Sequence, residues 1–283
     1  MADSILSGLE NFGLGGLEGM SLFEDPNKPV KEAQAAEVKK PVVVNEEDFL
    51  FDKSANCPVC GKDFKFRAVK GSKARLVNTE RDLRPVYEQL DVVKYDAILC
   101  PNCGYAALTR YFPTLMDSQK KLIREKISAT FRSIGPDPEV FEYDDAMDRY
   151  KLALANAVVK NAKASEKAFI CLKSAWVMRG MAEKAGESDP NYDKIKKVEE
   201  SYLANAFEGF CAAIQTESFP MCGMDPTTVE YLIAALAYET EHYDVAAKSI
   251  SKLLTSSSTN NRIKDKARDL KEEVIAAAKA KGL

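Results

Sequence analysis

Cys57-Pro58-Val59-Cys60-Gly61 and Cys100-Pro101-Asn102-Cys103-Gly104 repeat one five-residue pattern. Two intervening residues let a pair of thiolates on one tight turn reach the same ion. Pro58 and Pro101 fix φ near −65° and help to preset that turn. Gly61 and Gly104 tolerate positive φ where the chain bends away from the second sulfur. The two turns together supply Cys57, Cys60, Cys100 and Cys103, the ligand set of a closed tetrahedral zinc site. Iron in a rubredoxin-like site uses the same four thiolates and stays open as an alternative. A disulfide pair needs an oxidising compartment, and a thioredoxin-like redox motif needs only one such turn.

Working outward, Asp63-Phe64-Lys65-Phe66-Arg67-Ala68-Val69 alternates apolar and charged residues, the period of a half-buried strand. Ala74–Asn78 is expected to form a second strand. Leu83–Leu90, with Pro85 inside it, reads as a loop. Val92–Leu99 reads as a strand with Tyr95, Ala97 and Leu99 on one face. This is the layout of a zinc ribbon, with more chain between the two turns than the about 15–20 residues of the commonest spacing. Lys62, Lys65, Arg67, Lys70, Lys73 and Arg75 are opposed only by Asp63 in the same stretch. Basic residues interleaved with Phe64 and Phe66 suit a nucleic-acid backbone and its bases. The competing expectation puts these aromatics into a small core and leaves the charges solvated.

Before the ribbon, residues 1–48 read as a disordered tail and linker. Ile5, Leu6, Leu9, Phe12, Leu14, Leu17, Met20, Leu22 and Phe23 are spaced as on an amphipathic helix, but five glycines interrupt them. The same residues would also suit a short apolar docking motif. Pro26, Pro29 and Pro41 among many charges mark the linker.

From Asp117 the period becomes helical. One helix is expected after an Asp117 or Ser118 cap, ending at Gly135-Pro136. Others follow at about Glu139–Lys160, Ser165–Lys184 and Tyr192–Gln215, the second of these burying Phe169, Leu172, Trp176 and Val177. Asp225-Pro226 opens the next as a cap followed by an N1 proline. Small Ala234 and Ala237, then Tyr243, Ala246 and Ile250, give Asp225–Lys281 the pattern of a tetratricopeptide repeat, although Glu241 stands where glycine is usual. The chain is therefore expected to be α+β and mostly α. Its predicted parts are a tail at 1–48, a zinc ribbon at 49–116 and antiparallel tetratricopeptide-like helices at 117–283.

The 283 residues carry a net charge of −3, which argues against a chain built chiefly to coat nucleic acid. Seven cysteines, four of them in the paired turns, fit a reducing cytoplasm. No secretory signal and no membrane span are expected. The single histidine, His242, falls at a helix–helix turn and reads as a surface residue. Cys171 and Cys211 fall on apolar helix faces as core residues, and Cys222 lies in a loop without a basic neighbour in the sequence to activate it. Asp144 and Asp145, like Glu199 and Glu200, are sequence neighbours that do not share a helix face.

The order of parts resembles the bacterial domain of unknown function 2225. The likeness rests on the two cysteine turns, Tyr95-Asp96 before Cys100–Ala107, the Leu172–Ala175–Trp176 helix and Lys266-Ala267-Arg268-Asp269. It runs from Cys57 to Val274. The resemblance implies a zinc-ribbon head on a helical repeat body and no enzymatic activity. The expected function is a non-enzymatic cytoplasmic interaction or scaffold protein, with a protein or peptide partner on the helices and a structural zinc. Nucleic-acid binding through the basic hairpin is the alternative. An enzyme or electron carrier is a third reading, disfavoured because four thiolates leave no open metal position.

Overall fold

A computed structural model describes residues 45–133 and 135–282. The apolar motif and linker read in the first 44 residues lie outside the described residues.

Three antiparallel strand pairs come first. Strand β1 (Leu50–Asn56) pairs with β2 (Asp63–Val69) from Leu50↔Val69 to Asn56↔Asp63. The alternation read in β2 is realised: Phe64 and Phe66 are buried, whereas Asp63 and Lys65 are exposed. Its partner β1 has only one buried residue, Leu50, and carries no alternation to read. Strands β3 (Leu76–Thr79) and β4 (Pro85–Tyr87) pair next. The stretch expected to be a loop therefore contributes a short strand, and Pro85 is tolerated because it is the strand's first residue.

The third pair corrects a second expectation. Val92–Tyr95 is a 3-10 turn and only Ala97–Leu99 (β5) is extended, paired with β6 (Ala106–Leu108). Asp91 causes the turn, because its carboxylate accepts from Val93 N–H at 3.0 Å and caps it. Tyr95 accordingly leaves the face of Ala97 and Leu99. Its ring stacks on Phe141 in a small cluster with Phe49 and Leu50, and its hydroxyl donates to Glu46 at 2.7 Å.

Seven α-helices follow among the described residues: α1 (Asp117–Ile123), α2 (Tyr143–Val159), α3 (Ala164–Ala185), α4 (Tyr192–Thr216), α5 (Pro226–Glu239), α6 (Tyr243–Thr255) and α7 (Asn261–Ala280). The chain leaves α1 through a π turn, Arg124–Ser128. Asp225 caps α5 as its sequence predicts, accepting from Thr228 N–H. Each helix from α2 onward packs on the next, and α5 also touches α7. Helix α5 buries Val229–Ala237 without a break, so it lies inside the array. In α3, Leu172, Trp176 and Val177 are buried as expected, while Phe169 is half-buried.

The β5–β6 pair joins the two halves of the molecule. Successive side chains point to opposite faces of a strand. Ala97, Leu99, Ala106 and Leu108 belong to the helical core, whereas Ile98 and Ala107 belong to the cluster around the cysteines.

Candidate metal centre

The two cysteine turns adopt the same local geometry. Gly61 N–H donates to Cys57 O at 2.8 Å, and Gly104 N–H donates to Cys100 O at 3.0 Å. Cys57 N–H then bonds Lys62 O, and Cys100 N–H bonds Tyr105 O. Gly61 and Gly104 take φ of +72° and +75°, the left-handed conformation that the turn requires. Backbone N–H groups of Cys60 and Val59 favour the Cys57 thiolate, and those of Asn102 and Cys103 favour that of Cys100. Each turn thus presents two sulfurs and adds donors that stabilise negative charge on the first.

All four predicted ligands meet. The Sγ atoms of Cys57, Cys60, Cys100 and Cys103 lie within 4.8 Å of one another. Across the two turns, Cys57 Sγ is 3.6 Å from Cys103 Sγ and Cys60 Sγ is 3.7 Å from Cys100 Sγ. A tetrahedral ion with sulfur bonds of about 2.3 Å spaces its ligands about 3.8 Å apart. The donor set and its spacing therefore fit one metal ion with all four positions taken by sulfur. Cys57, Cys100 and Cys103 are buried and Cys60 is half-buried. Without a cation, so many sulfurs cannot all carry charge. Hydrogen bonds from Cys103 and Cys57 hold the Cys100 thiol well down, while Cys57 is pushed up by its bond to Cys100. Cys103 is likewise pushed up, first by Cys100.

Three residues that the sequence reading did not single out hold the cluster in place. Arg124, in the π turn, donates to Val59 O at 2.9 Å through Nε and 2.6 Å through Nη2. Asn156, wholly buried on α2, donates to Gly104 O at 3.0 Å. Tyr105, also wholly buried, packs on Phe112 and donates to its carbonyl at 3.1 Å. The neighbouring backbone carbonyls are thus satisfied from two helical segments, which immobilises both turns. A π turn at the end of a helix beside a site is the one local signal that points this way, and it is not visible in sequence.

The other candidates behave differently. Phe64 and Phe66 line the core around the cysteines with Phe112. Arg67 bonds Asp52 at 2.9 Å and Glu139 O at 2.9 Å, and Arg75 lies 3.7 Å from Glu88. His242 is exposed at the start of α6, its Nδ1 3.0 Å from Thr240 Oγ1 and its ring on Phe207. Cys171 is buried, and burial pushes its thiol up to about 11. Cys211 is half-buried. Cys222 is buried and does have a cationic neighbour in space, Arg110, but desolvation outweighs it and raises the thiol. Asp145 bonds Glu142 N–H at 2.9 Å, and Glu199 is buried against Arg179. None of the seven cysteines is in a disulfide. Among the described residues no helix is long and apolar enough to cross a membrane.

These parts define a class: a mostly helical chain whose short strand pairs carry a four-cysteine cluster able to hold one metal ion. Residues 50–274 match the family described as "uncharacterized protein conserved in bacteria" (DUF2225), and the chain belongs to that family. No curated protein and no solved structure matches it.

Proposed function

We propose that this protein is a non-enzymatic interaction module of the cytoplasm, built around a structural zinc ion. The carrying observation is the closed cluster of Cys57, Cys60, Cys100 and Cys103, whose four sulfurs use every position of a tetrahedral ion. Such an ion has no site for a substrate or an activated water. Zinc suits an all-thiolate tetrahedral set, and the thiolates require a reducing compartment.

Between its two turns the chain forms a zinc-ribbon-like head, clasped at both ends by one ion. The helices read as tetratricopeptide-like, supported by sequential packing and by the contact of α5 with α7, which puts the first helix of one pair against the next. A stacked array of this kind presents an extended surface to a protein or peptide partner. The basic hairpin is left as a solvated strand face, since burial of Phe64 and Phe66 takes away the aromatics that would stack on bases.

Affinity purification from the native cell with mass spectrometry tests the interaction reading. A reproducible protein partner is expected. Turnover of a substrate with no partner recovered would overturn it. For the structural role of the metal, chelation is expected to unfold the β1–β2 pair and leave most helical circular dichroism. An unchanged β1–β2 pair after metal removal would refute that role.

A further inference from the structure

The segment Glu80-Arg81-Asp82-Leu83-Arg84, between β3 and β4, lies across α3, α5 and α7. Each of its four charged side chains meets an opposite charge from a helix. Glu80 takes Arg179 of α3 at 2.6 Å. Arg81 bonds Glu239 of α5 at 2.6 Å and Glu273 of α7, and its guanidinium lies 4.4 Å from the centre of the Tyr238 ring. Asp82 takes Arg179 at 2.9 Å and the Trp176 indole at 2.9 Å. Arg84 bonds both oxygens of Glu183, at 2.7 and 2.9 Å.

Two levels of attachment are visible. Asp82 is wholly buried, a fixed anchor. The Arg81 side chain keeps 32% of its exposure, as Glu239 and Glu273 keep 27% and 41%. Partly exposed pairs add only about 0–1 kcal/mol to folding. Buried Asp82 and Arg84 already anchor the hairpin on α3, yet two carboxylates and an aromatic ring from two further helices converge on one guanidinium. That arrangement is how proteins read arginine: charge-assisted bonds fix its plane and a ring covers its face. The ordered match of charge sign along the segment fixes its register, as electrostatic complementarity does at an interface.

We infer that the α3–α5–α7 face is a peptide-binding surface and that Glu80–Arg84 is its resident ligand. The partner it fits is an extended segment with the pattern acid, arginine, acid, apolar, arginine. This rests on the reading of the helices as an interaction array. The resident segment keeps the face covered, so an outside peptide must compete with it.

The test uses the full chain and a labelled synthetic peptide with the sequence of residues 77–86. Arg81→Ala/Asp82→Asn loosens the resident segment while sparing the hydrogen-bonding shape at Asp82. Trp176, the only tryptophan, reports on the segment because it bonds Asp82. The double variant is expected to bind the peptide at least about tenfold more tightly than the wild type. Its tryptophan emission should return toward the wild-type value as peptide is added. A peptide with both arginines replaced by alanine is expected not to bind. Adding Glu239→Lys and Glu273→Lys to the double variant should abolish binding. If the double variant fails to fold, Asp82→Asn alone, which removes the charge at the buried anchor and keeps its hydrogen-bonding shape, carries the same comparison.

A folded variant that does not take up the peptide overturns the inference, as does binding indifferent to Glu239→Lys/Glu273→Lys. A cellular partner retained by Glu239→Lys/Glu273→Lys keeps the interaction reading and overturns this surface alone. Peptide binding without any cellular partner has the opposite meaning.

Discussion

The indole N–H of Trp176 donates to Oδ2 of Asp82 at 2.9 Å, across 94 positions of sequence. Asp82 is wholly buried and shares Arg179 with Glu80 and Glu199. A carboxylate is held without solvent only where cations and donors replace water. This cluster is therefore one of the points that fix the chain between the two cysteine turns to the helices, beside Arg84–Glu183 and the packing of Val93 and β5 in the helical core. Asp82→Ala leaves the Arg179 guanidinium short of a buried partner and is expected to cost about 3–5 kcal/mol. Asp82→Asn keeps the indole bond and is expected to cost less. Urea unfolding of the three proteins measures both, and a loss under about 1 kcal/mol for Asp82→Ala would place the pair among ordinary surface contacts.

Gly61 and Gly104 share a backbone conformation but not a neighbourhood. A Cβ on Gly61 meets nothing within 4 Å, whereas one on Gly104 lies 2.5 Å from the Phe131 ring. Left-handed backbone costs a non-glycine residue about 1–2 kcal/mol. Gly61→Ala should show only that strain, and Gly104→Ala should show it with steric overlap added. Chelator competition is expected to release metal faster from Gly104→Ala than from Gly61→Ala. Equal rates would mean that the Phe131 ring yields freely.

Asn156 supplies Gly104 O with a buried donor. Asn156→Leu keeps roughly the volume and removes the donor, which is expected to cost about 1–3 kcal/mol. The loss should appear both in thermal unfolding and in faster metal release, because the bond joins α2 to the second cysteine turn. Lower stability with unchanged metal release would confine Asn156 to helix packing.

Asp225 gives a pH dependence with a definite sign. The Thr228 N–H holds its carboxyl below the usual range, aided by the Thr227 hydroxyl. A depressed folded pKa contributes stability above the unfolded value, about 3.9, and loses it as pH falls through the folded value. Asp225→Ala is expected to cost about 1 kcal/mol near neutrality. The gap in Tm between the two proteins should narrow as pH falls below about 4. A gap constant down to strongly acid pH would contradict the cap.

What the sequence made legible was local. The two cysteine turns declared themselves because ligand spacing, proline and glycine all act within five residues. Helices α3 to α5 and the cap at Asp225 followed from period and punctuation. Val92–Leu99 misled because alternating Tyr95, Ala97 and Leu99 imitate a strand, while the capping carboxylate of Asp91 decides the turn. Strand β1 gave no signal, since its sequence is largely exposed and it exists by pairing with β2. Asp82, Arg84, Arg179 and Glu199 are charged residues with no local sign of burial in the sequence. Each is buried or half-buried because its partner arrives from far along the chain, which no local pattern records. Arg124 and Asn156 stayed hidden for the same reason.

We propose that Cys57, Cys60, Cys100 and Cys103 hold one zinc ion that joins the turn between β1 and β2 to the turn between β5 and β6. Elemental analysis of the purified full chain, beside Cys100→Ser, tests it most directly. The expected result is one zinc per wild-type chain, with zinc lost and the β1–β2 pair unfolded in the variant. Iron in place of zinc, no metal in the wild type, or zinc fully retained by Cys100→Ser would rule out a four-thiolate zinc site.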